Sequence, residues 1–289
     1  MNKIEVPNGW PKVIETGIGG GKSALLLKIL RDYGVQGLEK KLEIGGVREN
    51  PDDIRSLGMF YSAIQEGLKE NWALVLTQLE YMGQRFLAYK EAMEKYNGVF
   101  FLDRCLEGDR AFYKMLRNSR LINEQVYGAL VVLNDFFSQK IMEMGGYGEF
   151  FWLGTGSEES DRNSTLVAEM CFGRAKQRKR AIEKIKDDVK GPDKEGKKEK
   201  GGLTLPYEIA LVDQYEAEVL PMMEKRGILR RVDYRTPLPT EMVDFEDYQS
   251  WKQSYDGPLN FDNDHILLEL PPNLYELFGL AVLEKGLHK

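Results

Sequence analysis

Short blocks of consecutive apolar residues alternate with longer stretches of helical periodicity along this chain. That is the pattern of a parallel sheet whose strands are buried on both faces and joined by helices. Val13-Ile14 is the first block, and a helix from Ser23 to about Tyr33 follows a glycine-rich turn, with Gly34 as its stop. Leu42 to Glu49 reads as a second strand interrupted by glycines. Residues 52–96 read as helices, with Trp72, Leu76, Leu79, Met82 and Phe86 at helical spacing as a stripe facing the core. Val99 to Leu102 is a short apolar run between Asn97-Gly98 and a charged cluster, which is how a central parallel strand ends at a site-bearing edge. A helix around Gln125 to Met144 leads to a similar run at Phe150 to Leu153. His265 to Leu270, closed by Pro271-Pro272, reads as the fifth strand, with a final helix from about Leu274. The expectation is an α/β chain, one doubly wound domain over residues 1–289 with a central five-stranded parallel sheet flanked by helices.

Between the first strand and its helix runs Thr16-Gly17-Ile18-Gly19-Gly20-Gly21-Lys22-Ser23. Glycines allow backbone N–H groups to turn toward an anion, and the helix N-terminus adds partial positive charge. Lysine bridges outer phosphates and the serine hydroxyl ligates Mg²⁺, so the segment reads as a phosphate loop. The glycine expected six residues before Lys22 is replaced by Thr16, and Gly17 follows it.

Composition narrows what such a loop can serve. The chain has 289 residues, 42% of them hydrophobic, with a net charge of −6. These values favour a sizeable core and give no global reason to bind nucleic acid polymers or anionic membrane. No apolar stretch approaches the roughly 20 residues that span a bilayer, and the N-terminal residues lack targeting character, so a cytoplasmic site is expected. Two cysteines, Cys105 and Cys171, make no disulfide framework. The two histidines, His265 and His288, lie far along the chain from the phosphate loop, which disfavours histidine-centred or zinc chemistry.

Two segments depart from the alternation. Residues 174–200 hold twelve Lys or Arg against six Asp or Glu, and read as a basic lid. A helix there would gather Arg174 and Arg178 on one side, with Arg180 close by, where guanidinium groups close over a triphosphate. Residues 230–262 carry Pro237, Pro239 and many aromatic and acidic residues, and read as an insertion before the last strand.

At Asp103-Arg104-Cys105, with Asp109 beyond it, the chain resembles the deoxynucleoside kinase family, whose members include deoxycytidine, deoxyguanosine and deoxyadenosine kinases. That family carries a phosphate loop and, at the end of the central strand, a Glu/Asp-Arg-Ser-like triplet. It also places a base-reading Gln seven residues before an Arg on the preceding helix, and here Gln78 and Arg85 have that spacing. Seven residues are two helical turns, so both face one side. A planar amide pairs bidentately with a base edge, and an Arg85–Asp109 pair presents further polar groups to it. The resemblance spans about residues 12–220, and the segment Gly202 to Glu208 leading into Asp213 to Glu216 is similar to the family's helix after the lid.

The resemblance implies a P-loop kinase fold and ATP-dependent 5′-phosphorylation of a deoxynucleoside, a purine one or deoxycytidine, with Mg²⁺, in a homodimer. It implies Glu49 of Val47-Arg48-Glu49-Asn50-Pro51 as the base, with Glu43 as the substitute. Lys22 and Arg104 would act on the transferring phosphoryl group. Gly17, Gly19, Gly20, Gly21, Lys22, Ser23, Arg174, Arg178 and Arg180 would hold ATP, while Ser23 and Asp103 serve the metal. Gln78, Arg85 and Asp109 would read the base, with Trp72 as a pocket wall. Two alternatives stay open: a monophosphate kinase of thymidylate type, and a non-catalytic relative serving as a subunit of a larger assembly such as respiratory complex I.

Overall fold

The computed structural model describes residues 8–18, 20–22, 25, 26, 29, 44–47, 54–154, 164–173, 175 and 205–234, the side chains of Gln65 and Asp233 aside. Five strands form one sheet in the order β2-β3-β1-β4-β5: β1 (Lys12–Glu15), β2 (Gly45–Val47), β3 (Phe100–Asp103), β4 (Glu149–Gly154) and β5 (Leu229–Asp233). Every pairing is parallel, and the register sets Val13 beside Leu102 and Phe150, and Ile14 beside Asp103 and Phe151. The chain starts in the middle of the sheet, builds out to β2, returns through β3 and then crosses to the other side. A reversal of this kind opens a crevice at the C-terminal ends of β1 and β3.

β1 and β3 are buried at every position and β4 at all but its first, which explains their unbroken apolar text. Phe100, Phe101, Phe150 and Phe151 are wholly enclosed, each contributing on the order of 2–3 kcal/mol through burial. Around the sheet lie α1 (Leu57–Gln65), α2 (Trp72–Lys95), α3 (Asp109–Asn118), α4 (Glu124–Glu143), α5 (Leu205–Gln214) and α6 (Leu220–Lys225), with helical residues also at 164–173. A π-helical turn, Tyr215–Val219, joins α5 to α6. The stretch expected to be helical over 52–96 divides at Gly67, which takes φ +63°, and α2 begins where the Asn71 side chain accepts the Ala73 amide at 2.9 Å. Asn123 caps α4 in the same manner, accepting from Val126 at 2.9 Å. Among the described residues, no helix is long and apolar enough to cross a membrane.

The strand that completes the described sheet is Leu229–Asp233, at the start of the stretch read as an insertion, while the strand expected at 265–270 and residues 235–262 lie outside the described residues. One sequence expectation is corrected. The apolar stripe on α2 does not face the core as a whole. Met82 is buried, but Trp72, Leu76 and Leu79 are exposed, and the inner face uses Leu74, Thr77, Gln78, Arg85 and Tyr89 instead.

Gly148 explains how β4 enters the sheet. A Cβ there would lie 2.2 Å from the Gly9 carbonyl carbon and 2.3 Å from the Trp10 nitrogen, both backbone atoms with no room to rotate away. Gly148→Ala should therefore lower stability by on the order of 2–3 kcal/mol in chemical denaturation, while Gly128→Ala, at a position with open space, should not.

Candidate active site

The phosphate loop leaves the C-terminal end of β1 and is anchored before its first glycine. Thr16, where the sequence lacks the expected glycine, is buried and donates its hydroxyl to the Leu153 carbonyl of β4 at 2.8 Å. Its Oγ1 also lies 3.5 Å from Cys171 Sγ. The close approach transfers the need for glycine to a later position, since a Cβ on Gly20 would meet Thr16 Cγ2 at 2.4 Å. The loop then turns through Gly21 at φ +91°, and the Leu25 amide reaches the Gly21 carbonyl at 2.9 Å as the helix begins.

The β1–β3 register brings the second motif to this loop. Asp103 ends β3 opposite Ile14, and its Oδ1 lies 3.8 Å from Lys22 Nζ, with both side chains nearly enclosed. Arg104 follows at φ +80°, a left-handed conformation that is costly for a side chain of this size. Its amide donates to the Ile14 carbonyl at 3.1 Å, so the sheet itself holds the strained turn. The guanidinium sits over the Phe112 ring, donates through Nη1 to the Tyr215 hydroxyl at 3.2 Å and places Nε 3.7 Å from Glu15 Oε1. Burial pushes the Glu15 carboxyl above its ordinary range, and Arg104, Lys22 and Arg85 pull it back only in part. Cys105 is enclosed, and burial raises its thiol well above the ordinary value, so it is a packing group.

Arg85 of α2 and Asp109 at the start of α3 form a buried ion pair between Nη1 and Oδ1, and the guanidinium lies 4.9 Å from the Tyr81 ring centre. Asp109 occupies the first turn of α3, where the helix dipole favours a negative charge. A narrow cavity of about 20 Å³ beside this pair is bounded by Val47, Gln84, Arg85, Tyr89, Asp103 and Arg104, among others. Gln78 is buried on the same helix two turns earlier but does not bound that cavity, whereas Gln84, missed in the sequence, does. Trp72 is 59% exposed at the first position of α2 and does not line this cavity.

Gly17, Gly20, Gly21, Lys22, Arg104 and Asp103 thus meet at one sheet edge, with Arg85 and Asp109 adjoining. Gly19, Ser23, Glu43, Glu49, Arg174, Arg178 and Arg180 lie outside the residues, or the side chains, that are described. Among the described residues, no cluster of three or more His, Cys, Asp or Glu is arranged to hold a metal on its own. Mg²⁺ at a phosphate site takes one or two protein oxygens and completes its shell from phosphates and water, and the buried Asp103 carboxylate beside the loop fits that demand.

Glu208 of α5 was also missed. It is fully enclosed against the phosphate loop, and burial lifts its carboxyl to about 7 against the opposing pull of the Ile18 amide, Arg104 and Lys22. An acid on a helix whose next inward positions are Leu211, Val212 and Tyr215 was the available signal.

Neither a protein-family model nor a curated protein sequence matches the chain. Solved structures do. A deoxyadenosine kinase from M. mycoides, with products dCMP and a flexible dCDP bound, superposes with TM-score 0.51 at 16% identity over 78% of this chain and 91% of that one. The same enzyme with dCTP or dATP bound gives TM-scores of 0.48 and 0.47, each at 16% identity, over 84% of this chain and 98% of the other. With its phosphate loop and five-stranded parallel sheet, the chain has the P-loop kinase fold of deoxynucleoside kinases.

The Glu208 environment has a consequence for stability. Unfolded, this carboxyl ionises near its ordinary value of 4.5, whereas in the fold it holds its proton to about 7. Below the lower value both states are protonated; as pH rises between the two, the unfolded state alone gains by losing a proton, so stability falls. Urea denaturation at a series of pH values should show Glu208→Gln gaining about 3 kcal/mol on the wild type between pH ~4 and pH ~8.

Proposed function

We propose that this chain transfers the γ-phosphoryl group of ATP to the 5′-hydroxyl of a deoxynucleoside, a purine one or deoxycytidine. The observation that carries the reading is the meeting of Lys22 with Asp103-Arg104 at one sheet edge, 3.8 Å between Lys22 Nζ and Asp103 Oδ1, beside the buried Arg85–Asp109 pair. A likeness of fold to a deoxyadenosine kinase supports it.

Phosphoryl transfer demands positioning and charge more than covalent help. Lys22 is placed to meet the outer phosphates from the loop. Arg104 reaches the same region from the strained end of β3, where Tyr215 and Glu15 fix its direction before any substrate arrives. Asp103 and Ser23 would hold Mg²⁺, which when bound neutralises charge on the phosphate oxygens. Arg85 and Asp109 form a preorganised polar surface for a base, and Gln78 and Gln84 supply amides on the same helix. Glu49 is the proposed proton acceptor for the sugar hydroxyl, and the lid arginines Arg174, Arg178 and Arg180 complete the anion site.

Mg²⁺-ATP consumption against the four deoxynucleosides and their monophosphates tests the reading. Turnover with dA, dG or dC is expected, and Lys22→Ala should reduce it at least about a hundredfold without loss of the folded state by circular dichroism. Turnover with monophosphates alone would make the chain a monophosphate kinase, and silence from folded protein would favour an assembly subunit.

A homodimer belongs to the same reading. Leu76, Leu79 and Leu87 of α2 and Val132, Leu133 and Phe136 of α4 are exposed, on helices tied by the Phe86–Phe137 contact at 4.9 Å. Light scattering should report twice the chain mass, and Leu79→Asp combined with Phe136→Asp should halve it.

A further inference from the structure

Glu208 has no part in the mechanism above, yet this buried acid is pressed directly against the phosphate loop. A Cβ placed on Gly17 would lie 2.1 Å from Glu208 Oε1 and 3.1 Å from Cys171 Sγ, so the carboxyl and the thiol together fill the space that a side chain at this loop position would take. The residue is enclosed, no side chain among the described residues hydrogen-bonds either of its oxygens, and the Ile18 amide is the backbone group that faces it. The groups that face it are charged or titratable on three sides. Lys22 comes from the loop's end, Arg104 from the end of β3 and Cys171 from the helical residues 164–173, while Tyr207 precedes it on its own helix.

These are the cations that an incoming polyphosphate needs. An ionised carboxylate behind the loop draws on Lys22, Arg104 and the Ile18 amide, so it opposes a second anion at the same place. A neutral carboxyl leaves them available and still fills the space beside Gly17. Conversely, several negative charges delivered to the loop raise the free energy of ionised Glu208, which relaxes by binding a proton from solvent. On the kinase reading given above, we propose that Glu208 is a positioning residue of the phosphate loop whose carboxyl takes up one proton from solvent when a nucleotide polyphosphate is bound.

Nucleotide binding is then linked to pH through one side chain. Because the free carboxyl titrates near neutrality, part of the protein has to be protonated as ATP enters, and affinity falls as pH rises. Calorimetric titration of the full chain with Mg²⁺-ATP at pH ~7.5, in buffers of different ionisation enthalpy, counts the protons taken up. Wild type is expected to take up about half a proton more than Glu208→Gln. Its affinity should also fall about tenfold more than the variant's between pH ~6.5 and ~8.5. The Gln variant keeps the shape beside Gly17 and loses only the titration, so a merely structural role would not move the proton count.

Equal proton uptake in wild type and variant would overturn the inference while leaving the kinase reading intact. The absence of uptake by wild type overturns it without reference to any variant, which keeps the test decisive if Glu208→Gln does not fold. Failure of wild type to bind ATP at all would remove both readings together.

Discussion

Everything at the active edge depends on the register between β1 and β3. Setting Ile14 opposite Asp103 brings the ends of two strands far apart in sequence to the same height. The phosphate loop springs from one and Arg104 from the other. The ladder does not stop at the strand end, because the Arg104 amide continues it to the Ile14 carbonyl at 3.1 Å while the backbone is already at φ +80°. A slip of one residue would turn Asp103 to the opposite face and break the hydrogen bond that sustains this conformation. The apolar text of β1, β3 and β4 is what forbids the slip, since it would have to expose or rebury whole aromatic rings.

Around that edge the protein buries an unusual set of charges. Glu15, Lys22, Arg85, Asp103, Arg104, Asp109 and Glu208 are all nearly or fully enclosed. Elsewhere in the fold, buried charge is matched more simply, as where Glu107 receives Arg226 at 2.7 Å. A low-dielectric, prearranged set of charges is costly to the free protein but strengthens each interaction with a bound anion. The strain at Arg104 and the raised carboxyls of Glu15 and Glu208 express one compromise, in which stability is given up where binding demands it.

Much of this was legible in the chain because it is local in sequence. The glycine loop, its lysine, and the Asp-Arg step at a strand end each lie within a few residues, and the two-turn spacing of Gln78 and Arg85 follows from helical geometry. What was not legible depends on partners. β5 is the last strand of the sheet among the described residues, of sequence Leu-Arg-Arg-Val-Asp, and its arginines do not look like sheet text until Arg230 is seen 3.4 Å from Glu149 and Arg231 3.1 Å from Glu216. Periodicity put Trp72, Leu76 and Leu79 on one face of α2 but carried no information on what lies against that face. Glu208 was given no role from the sequence because the loop that encloses it is nearly two hundred residues away. Thr16, an apparent defect in the glycine pattern, resolves once Leu153 supplies a carbonyl for its hydroxyl.

The π-helical turn Tyr215–Val219 separates two tasks of one helix. Such a turn is how a helix absorbs one extra residue without unravelling, leaving the phase before it untouched and rotating the phase after it. Here the phase before it holds Tyr215 on Arg104 and against the Trp152 ring, while the phase after it sets Leu220 and Met223 into the core beneath β5. The two halves of this helix therefore meet different structural demands. A change of length on the β5 side of this turn would leave the residues that orient the arginine in place.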